Sequence, residues 1–185
     1  MLKIQIPDTI EVFDEKTETF KYIKGGFEMQ LEHSLISLAK WESRWHKPFL
    51  SKKPKTDEES RDYIRCMTLT NNVNPELYKF LPSSLVRQIY AYIEDPMTAT
   101  WFSKEQEKKA GVGNREIVTA EIIYYWMVTL QIPVQFEKWH LNRLLTLIKV
   151  INIKNAPKQN MKEKDLLARN ARLNKARRAK HHTRG

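Results

Sequence analysis

The stretch Ile117-Val118-Thr119-Ala120-Glu121-Ile122-Ile123-Tyr124-Tyr125-Trp126-Met127-Val128-Thr129-Leu130-Gln131-Ile132 decides the fold class. Ile117, Ala120, Tyr124 and Val128 recur at helical spacing, and Ile123, Trp126, Met127 and Leu130 widen the stripe. A helix apolar over so much of its circumference is expected in the middle of a domain. Asn114 is its expected N-cap, and Ile132-Pro133 ends it. A second stretch, Glu137 to Ile153, carries Leu141, Leu144, Leu145, Ile148 and Ile151 at the same period. The two helices are expected to pair as the core. Thr119, Glu121, Thr129 and Gln131 interrupt the first stretch, which falls short of the roughly 18 apolar residues of a membrane span.

Working back toward the N-terminus, further helices are punctuated by short signals. Leu35, Leu38, Ala39 and Trp45 suit one helical face from about Ser34, with Trp41 nearby, and Pro48 ends it. Lys52 to Lys55 form a charged loop. Thr56 and Glu59 make a capping box for a helix through about Cys66. Asn74-Pro75 opens a short helix to Leu81. Ser83 or Ser84 is expected to cap a helix carrying Leu85, Ile89, Tyr92 and Ile93, which Asp95-Pro96 stops. Before Ser34 the period is two. Ile10-Glu11-Val12 and Phe20-Lys21-Tyr22 alternate around a polar turn, Asp14 to Glu18. Gly25-Gly26 breaks the second strand, and Phe27 to Leu31 extends it or adds a third. A lone hairpin is marginal in water, so this one should pack on the helices.

Working forward, residues 103 to 114 are polar, with Gly111-Val112-Gly113 as a joint. Ala156-Pro157 ends the folded body. Asp165 to Lys180 is rich in Ala, Leu, Arg and Lys and reads as a helix of marginal stability on its own. The expected class is therefore mainly α. Residues 1–31 form an N-terminal β-hairpin or small antiparallel sheet, 32–157 a compact helical domain, and 158–185 a basic C-terminal arm, helical or disordered.

Composition agrees with this organisation. At 41% hydrophobic residues the 185-residue chain can fill one core, which excludes wholesale disorder. Five Gly are too few for a sandwich or barrel with its many tight turns. The single Cys66 cannot form an internal disulfide, and no secretory signal is evident, so a reducing cytoplasmic setting is expected. The net charge of +10 is uneven. Residues 158 to 185 hold ten Lys/Arg against two acids, +8, leaving +2 on residues 1 to 157. An electrostatic partner is thus expected at the arm.

No constellation of catalytic or ligating residues stands out, and no enzyme activity, cofactor or metal is expected. Glu137-x-x-His140 has the spacing used in di-metal bundles, but there is one copy where two are needed. The plainer reading is a His packed beside Trp139 with a hydrogen-bond partner. Cys66 has no local activating base and reads as a small buried hydrophobe. Gly111-x-Gly113 lacks the third glycine of a dinucleotide fingerprint. Ser83-Ser84 reads as capping and His181-His182 as part of the arm. Arg169, Arg172, Lys175, Arg177, Arg178 and Lys180 fall around a helix rather than in a row, as suits an arm seeking phosphates or an acidic surface. A solvated, disordered terminus is the equally weighted alternative.

Three stretches and the basic ending form a recognisable pattern. They are Leu31-Glu32-His33-Ser34-Leu35-Ile36-Ser37-Leu38-Ala39-Lys40-Trp41-Glu42, Pro96-Met97-Thr98-Ala99-Thr100-Trp101-Phe102, and Lys138-Trp139-His140-Leu141-Asn142-Arg143-Leu144-Leu145-Thr146-Leu147-Ile148. The ending runs from Arg169-Asn170 through Leu173-Asn174. From about residue 31 onward the chain resembles the tail assembly chaperones encoded among the tail genes of tailed bacteriophages. That resemblance implies a protein that binds the long tape-measure protein in the host cytoplasm, keeps it soluble, and gives way as tail-tube subunits polymerise. The implied partner is the tape-measure protein, with the tail-tube protein as a second candidate; self-association of the chain is a separate expectation. Trp41, Trp45, Phe49, Trp101 and Phe102, near helix ends or loops, are the candidate protein-binding residues, although burial under a loop is the more frequent fate of any one of them. The rival readings are a structural virion protein of the connector or baseplate, and a nucleic-acid-binding protein that uses the basic arm.

Overall fold

The computed structural model describes residues 1–14, 18–103, 117–156 and 163–181. The architecture is mainly helical with an N-terminal antiparallel ribbon, in accord with the sequence. Clustering of contacts divides the chain into two units, Met1–Lys154 and Asn155–Gly185.

The ribbon is longer than the sequence suggests. Strands β1 (Leu2–Gln5) and β4 (Glu28–Leu31) pair with each other, as do β2 (Thr9–Asp14) and β3 (Thr19–Lys24). Leu2 pairs with Leu31, Gln5 with Glu28, Thr9 with Lys24 and Asp14 with Thr19. The two numbers of each pair have the same total throughout, so the register passes unbroken from one pair of strands to the other. Between them the Ile6 N–H donates to Phe27 O at 3.0 Å, Gly26 N–H to Pro7 O at 3.0 Å and Gly25 N–H to Asp8 O at 2.8 Å. A Cβ on Gly25 would lie 2.0 Å from Pro7 O, and Gly26 has φ +79°, so glycine is required at both positions. The expected break at Gly25-Gly26 is real but local: the strand resumes, and its partner is Leu2–Gln5, which the alternation of apolar residues did not single out.

Period-two alternation buries Ile4, Ile6, Ile10, Ile23, Met29 and Leu31 on one face. The other face leaves Phe13 and Phe20 exposed as a cross-strand pair, with ring centroids 5.1 Å apart. The body covers the outer edge of β4. Leu69 N–H donates to Gln30 O at 2.8 Å, Glu32 N–H to Met67 O at 2.9 Å and Gln30 N–H to Thr70 Oγ1 at 2.9 Å. These bonds satisfy backbone groups that an open strand edge would leave unpaired.

Helix α1 (Leu35–Trp45) opens on a capping box between Ser34 and Ser37 and closes on His46 in the left-handed region, φ 51°. Helix α2 (Asp57–Met67) opens on the expected Thr56–Glu59 box. Asn74 caps a 3-10 turn, Pro75–Lys79. Helix α3 (Ser83–Glu94) has Pro82 at its cap and no side-chain cap bond, so Ser83 and Ser84 lie inside the first turn rather than capping it. Helix α4 (Ala120–Thr129) has Thr119 at its cap, five residues after the expected cap at Asn114, which lies outside the described residues. A 3-10 turn, Val134–Lys138, then leads to α5 (Leu141–Asn155), so Glu137 precedes that helix. The arm forms α6 (Glu163–His181). The Gly111-Val112-Gly113 joint lies outside the described residues.

The core has two lobes. One joins the inner face of the ribbon to Trp41, Tyr63, Ile64, Met67, Leu77 and Ile89. The other joins Leu35 and Leu38 to Ala120, Ile123, Met127, Leu141, Leu144 and Ile148. Phe49 packs against both. Helix α1 therefore lies between the lobes, with Leu35 and Leu38 turned to one and Trp41 to the other. The expectation that the 117–132 helix occupies the middle of the domain is corrected on this point. That helix and α5 both line one lobe, but it packs chiefly on α1 rather than pairing with α5, and it buries only Ala120, Ile123 and Met127. Ile117 precedes the helix and is exposed, and Val128 turns away with Glu121, Tyr125 and Thr129.

Candidate protein-binding surface

The five aromatic candidates divide by environment. Trp41 is 1% exposed, and its indole N–H donates to Glu59 O at 2.8 Å. It belongs to the core and is withdrawn as a surface contact. Its apolar neighbours on α1, α2 and the ribbon bury the ring, and the bond to Glu59 satisfies its one polar atom. Trp45 is half-buried beside it, with ring centroids 6.2 Å apart, and donates to Asp62 Oδ2 at 2.9 Å. Burial alone would raise the Asp62 carboxyl. The bonds from Arg65 and Trp45 and the charge of Arg44 outweigh it and hold the group below its ordinary value. Phe49 stacks on Tyr63 at 3.9 Å, and the Lys55 ammonium lies 4.2 Å from its ring. These three aromatics brace the 46–56 loop against α1 and α2.

Trp101 differs from the other four. Phe102 is half-buried, with the Lys149 ammonium 4.1 Å over its ring. Trp101 is 82% exposed, and of the five candidates it alone offers a whole ring to a partner. Further exposed apolar residues lie where the sequence pointed to core. On α4, Tyr125 is 66% and Val128 77% exposed, and Ile117 and Val134 are exposed at its two approaches. Helical periodicity finds the residues of this helix but cannot say which of two apolar sides is covered.

Buried polar groups fix α4 in place. Glu42, on α1, accepts the Ala120 N–H at 2.7 Å through Oε2 and the Phe49 N–H at 2.7 Å through Oε1. The carboxylate caps the first turn of α4, where Thr119 makes no side-chain bond. It also brings negative charge to the positive end of that helix. Near the start of α5, His33 Nδ1 lies 2.6 Å from Tyr63 Oη, and the His33 and His140 rings meet edge to face at 5.0 Å. His140 Nε2 donates to Tyr92 O at 3.0 Å, while its Nδ1 is buried without a partner. Tyr92 in turn donates to Glu32 at 2.6 Å. Burial, together with the facing His140, pushes the His33 imidazole down to about 3, and burial lowers His140 as well.

The Glu137–His140 pair does not converge. Glu137 accepts the Tyr124 hydroxyl at 2.8 Å, and His140 looks to Tyr92. Among the described residues no three His, Cys, Asp or Glu side chains are grouped to hold a metal ion. Burial pushes the Cys66 thiol up to about 11, which keeps it protonated at neutral pH and poorly nucleophilic. Among the described residues, no helix is long and apolar enough to cross a membrane.

Comparison with known proteins found no match. No family model, no curated protein and no solved structure is significantly similar to this chain. On α6, Arg169, Arg172, Lys175, Arg177, Arg178 and Lys180 are all exposed, as are Leu167 and Leu173.

Proposed function

We propose that this protein is a tail assembly chaperone of a tailed bacteriophage, acting in the host cytoplasm on the tape-measure protein during tail morphogenesis. The observation that carries a protein-binding role is the outward side of α4. Tyr125 and Val128 stand uncovered on a helix whose opposite side closes a core lobe. Exposed apolar groups on a rigid helix are the usual landing place for an apolar stripe of another helix. A long helical tape measure exposes many such stripes before the tube forms around it. The resemblance of residues 31–42, 96–102 and 138–148 to that family supplies the identity of the partner.

Each contact should be weak, since a patch of a few residues falls well below the roughly 1,200 Å² of a stable interface. Many copies along one tape measure then give avidity without permanent attachment. Coexpression with a phage tape-measure protein is the test. The chaperone reading expects the tape measure to stay soluble and to co-purify with this chain. It also expects Tyr125→Ser with Val128→Ser to abolish co-purification while the unfolding midpoint stays within a few degrees. A chain found in stoichiometric amount in finished particles would instead be a structural virion component, and the chaperone reading would fail.

A further inference from the structure

We propose that α6 is a binding element for duplex DNA that lies in the major groove and grips the phosphates without reading sequence. Helix α6 is 19 residues long, about 28 Å at the α-helical rise. Every residue from 167 to 180 is exposed. At 3.6 residues per turn, Lys175 and Arg172 occupy one quadrant of the circumference, Arg169 and Lys180 the next, Arg177 the third and Arg178 the fourth. No Asp or Glu follows Asp165. The helix is thus a cylinder of positive charge rather than a charged stripe.

That geometry selects among polyanions. An acidic protein surface touches a helix from one side and would leave half of these cations unused. A lipid surface needs an apolar face, yet Leu167 and Leu173 lie about a third of a turn apart and form no stripe. Single-stranded nucleic acid is held by aromatic stacking, and no Phe, Trp or Tyr follows Trp139. The major groove of B-form DNA, about 12 Å wide, admits one helix and presents phosphates along both walls. A-form RNA closes that groove to a helix. Arg169, Arg172, Lys175 and Arg178 follow one another at i, i+3, a spacing at which like charges repel and weaken a helix. Phosphates on both sides relieve that repulsion, so DNA should also raise the helix content of the arm.

Fluorescence anisotropy of the full chain with a labelled mixed-sequence duplex, titrated at about 50 to 200 mM salt, tests this. We expect log affinity to fall with log salt at a slope of about −3 to −5, the signature of several released counterions. Replacing Arg172, Lys175, Arg177 and Arg178 together by Gln should cost tenfold or more in affinity and flatten the slope. The matching all-Lys variant should retain binding, which separates lost charge from a damaged helix. Absence of binding at the lowest salt would overturn the proposal. So would an unchanged affinity in the Gln variant, or equal displacement by duplex RNA, polyglutamate or anionic vesicles at matched charge. The outcome is independent of co-purification with a tape measure, which reads the α4 surface.

Discussion

Glu42 and Ala120 lie 78 residues apart in sequence, and the carboxylate of the first caps the backbone N–H of the second at 2.7 Å. One side chain on the central helix therefore does what a local Ser or Asp does at most helix starts, and it holds the 46–56 loop through Phe49 as well. Removing it strands two backbone donors at once. Glu42→Ala is expected to cost about 2–4 kcal/mol, from the penalty for unpaired buried donors. Glu42→Gln, which keeps one acceptor oxygen, should cost less. Urea unfolding of the two variants checks the order, and equal losses would show that the carboxylate does not bridge both groups.

Acid should weaken the fold through the His33–His140 contact. The folded His33 imidazole titrates near 3, against 6.5 for the free side chain. Below pH 6.5 the unfolded chain takes up a proton that the folded chain refuses, so stability falls as pH drops toward 3. At about 1.4 kcal/mol per unit, the loss from His33 is about 2 kcal/mol by pH 5, and the lowered His140 adds to it in the same direction. His33→Gln removes the larger contribution. Denaturant midpoints of the native chain should fall between pH 7 and pH 5 more steeply than those of the variant. Parallel slopes would refute the assignment.

The glycines of the ribbon are not equivalent. Gly25→Ala drives a methyl group to 2.0 Å from Pro7 O, a clash with backbone that has no flexible neighbour to yield. A loss of about 2–3 kcal/mol is expected, in the range of overpacked sites. Gly26→Ala meets mainly the left-handed backbone and should cost about 1 kcal/mol. Thermal melts rank the two, and cross-strand NOEs between residues near 6 and 27 report whether the ribbon still pairs.

Trp41 and Trp101 should behave as opposites. Trp41→Ala empties a buried site and should cost about 3–5 kcal/mol. Trp101→Ala, at an open position, should stay within about 0.5 kcal/mol. Iodide quenching of indole fluorescence should drop on losing Trp101 and stay nearly unchanged on losing Trp41.

The contrast between these two residues shows what the sequence could and could not reveal. Both are tryptophans close to predicted element ends, and their local surroundings look alike. Only the three-dimensional neighbours, Glu59 and the ribbon for Trp41, separate them. Signals that act over three or four residues were legible: the Thr56–Glu59 box, the turn at Asn74-Pro75, the stop at Pro133 and the helical period from Leu141 to Ile151. Readings that needed distant partners failed. Leu2–Gln5 is too short to announce itself, and its partner strand begins at Glu28. Glu42 resembles any surface glutamate until Ala120 is placed beside it. Val128 shares a helix with Ile123 and Met127, and periodicity alone could not tell that it faces outward. Of the candidate contact residues, those of the basic arm were legible from charge, while Tyr125 was not.

The unbroken register of the ribbon restricts how this segment can vary in length. A single residue gained or lost within 2–14 or 19–31 would turn every side chain beyond it from inside to outside, exchanging Ile4 and Ile6 for Lys3 and Gln5. Natural variants should therefore change length by matched additions to both strands, or between residues 14 and 19. Engineered insertions, such as a peptide tag, belong between those two positions.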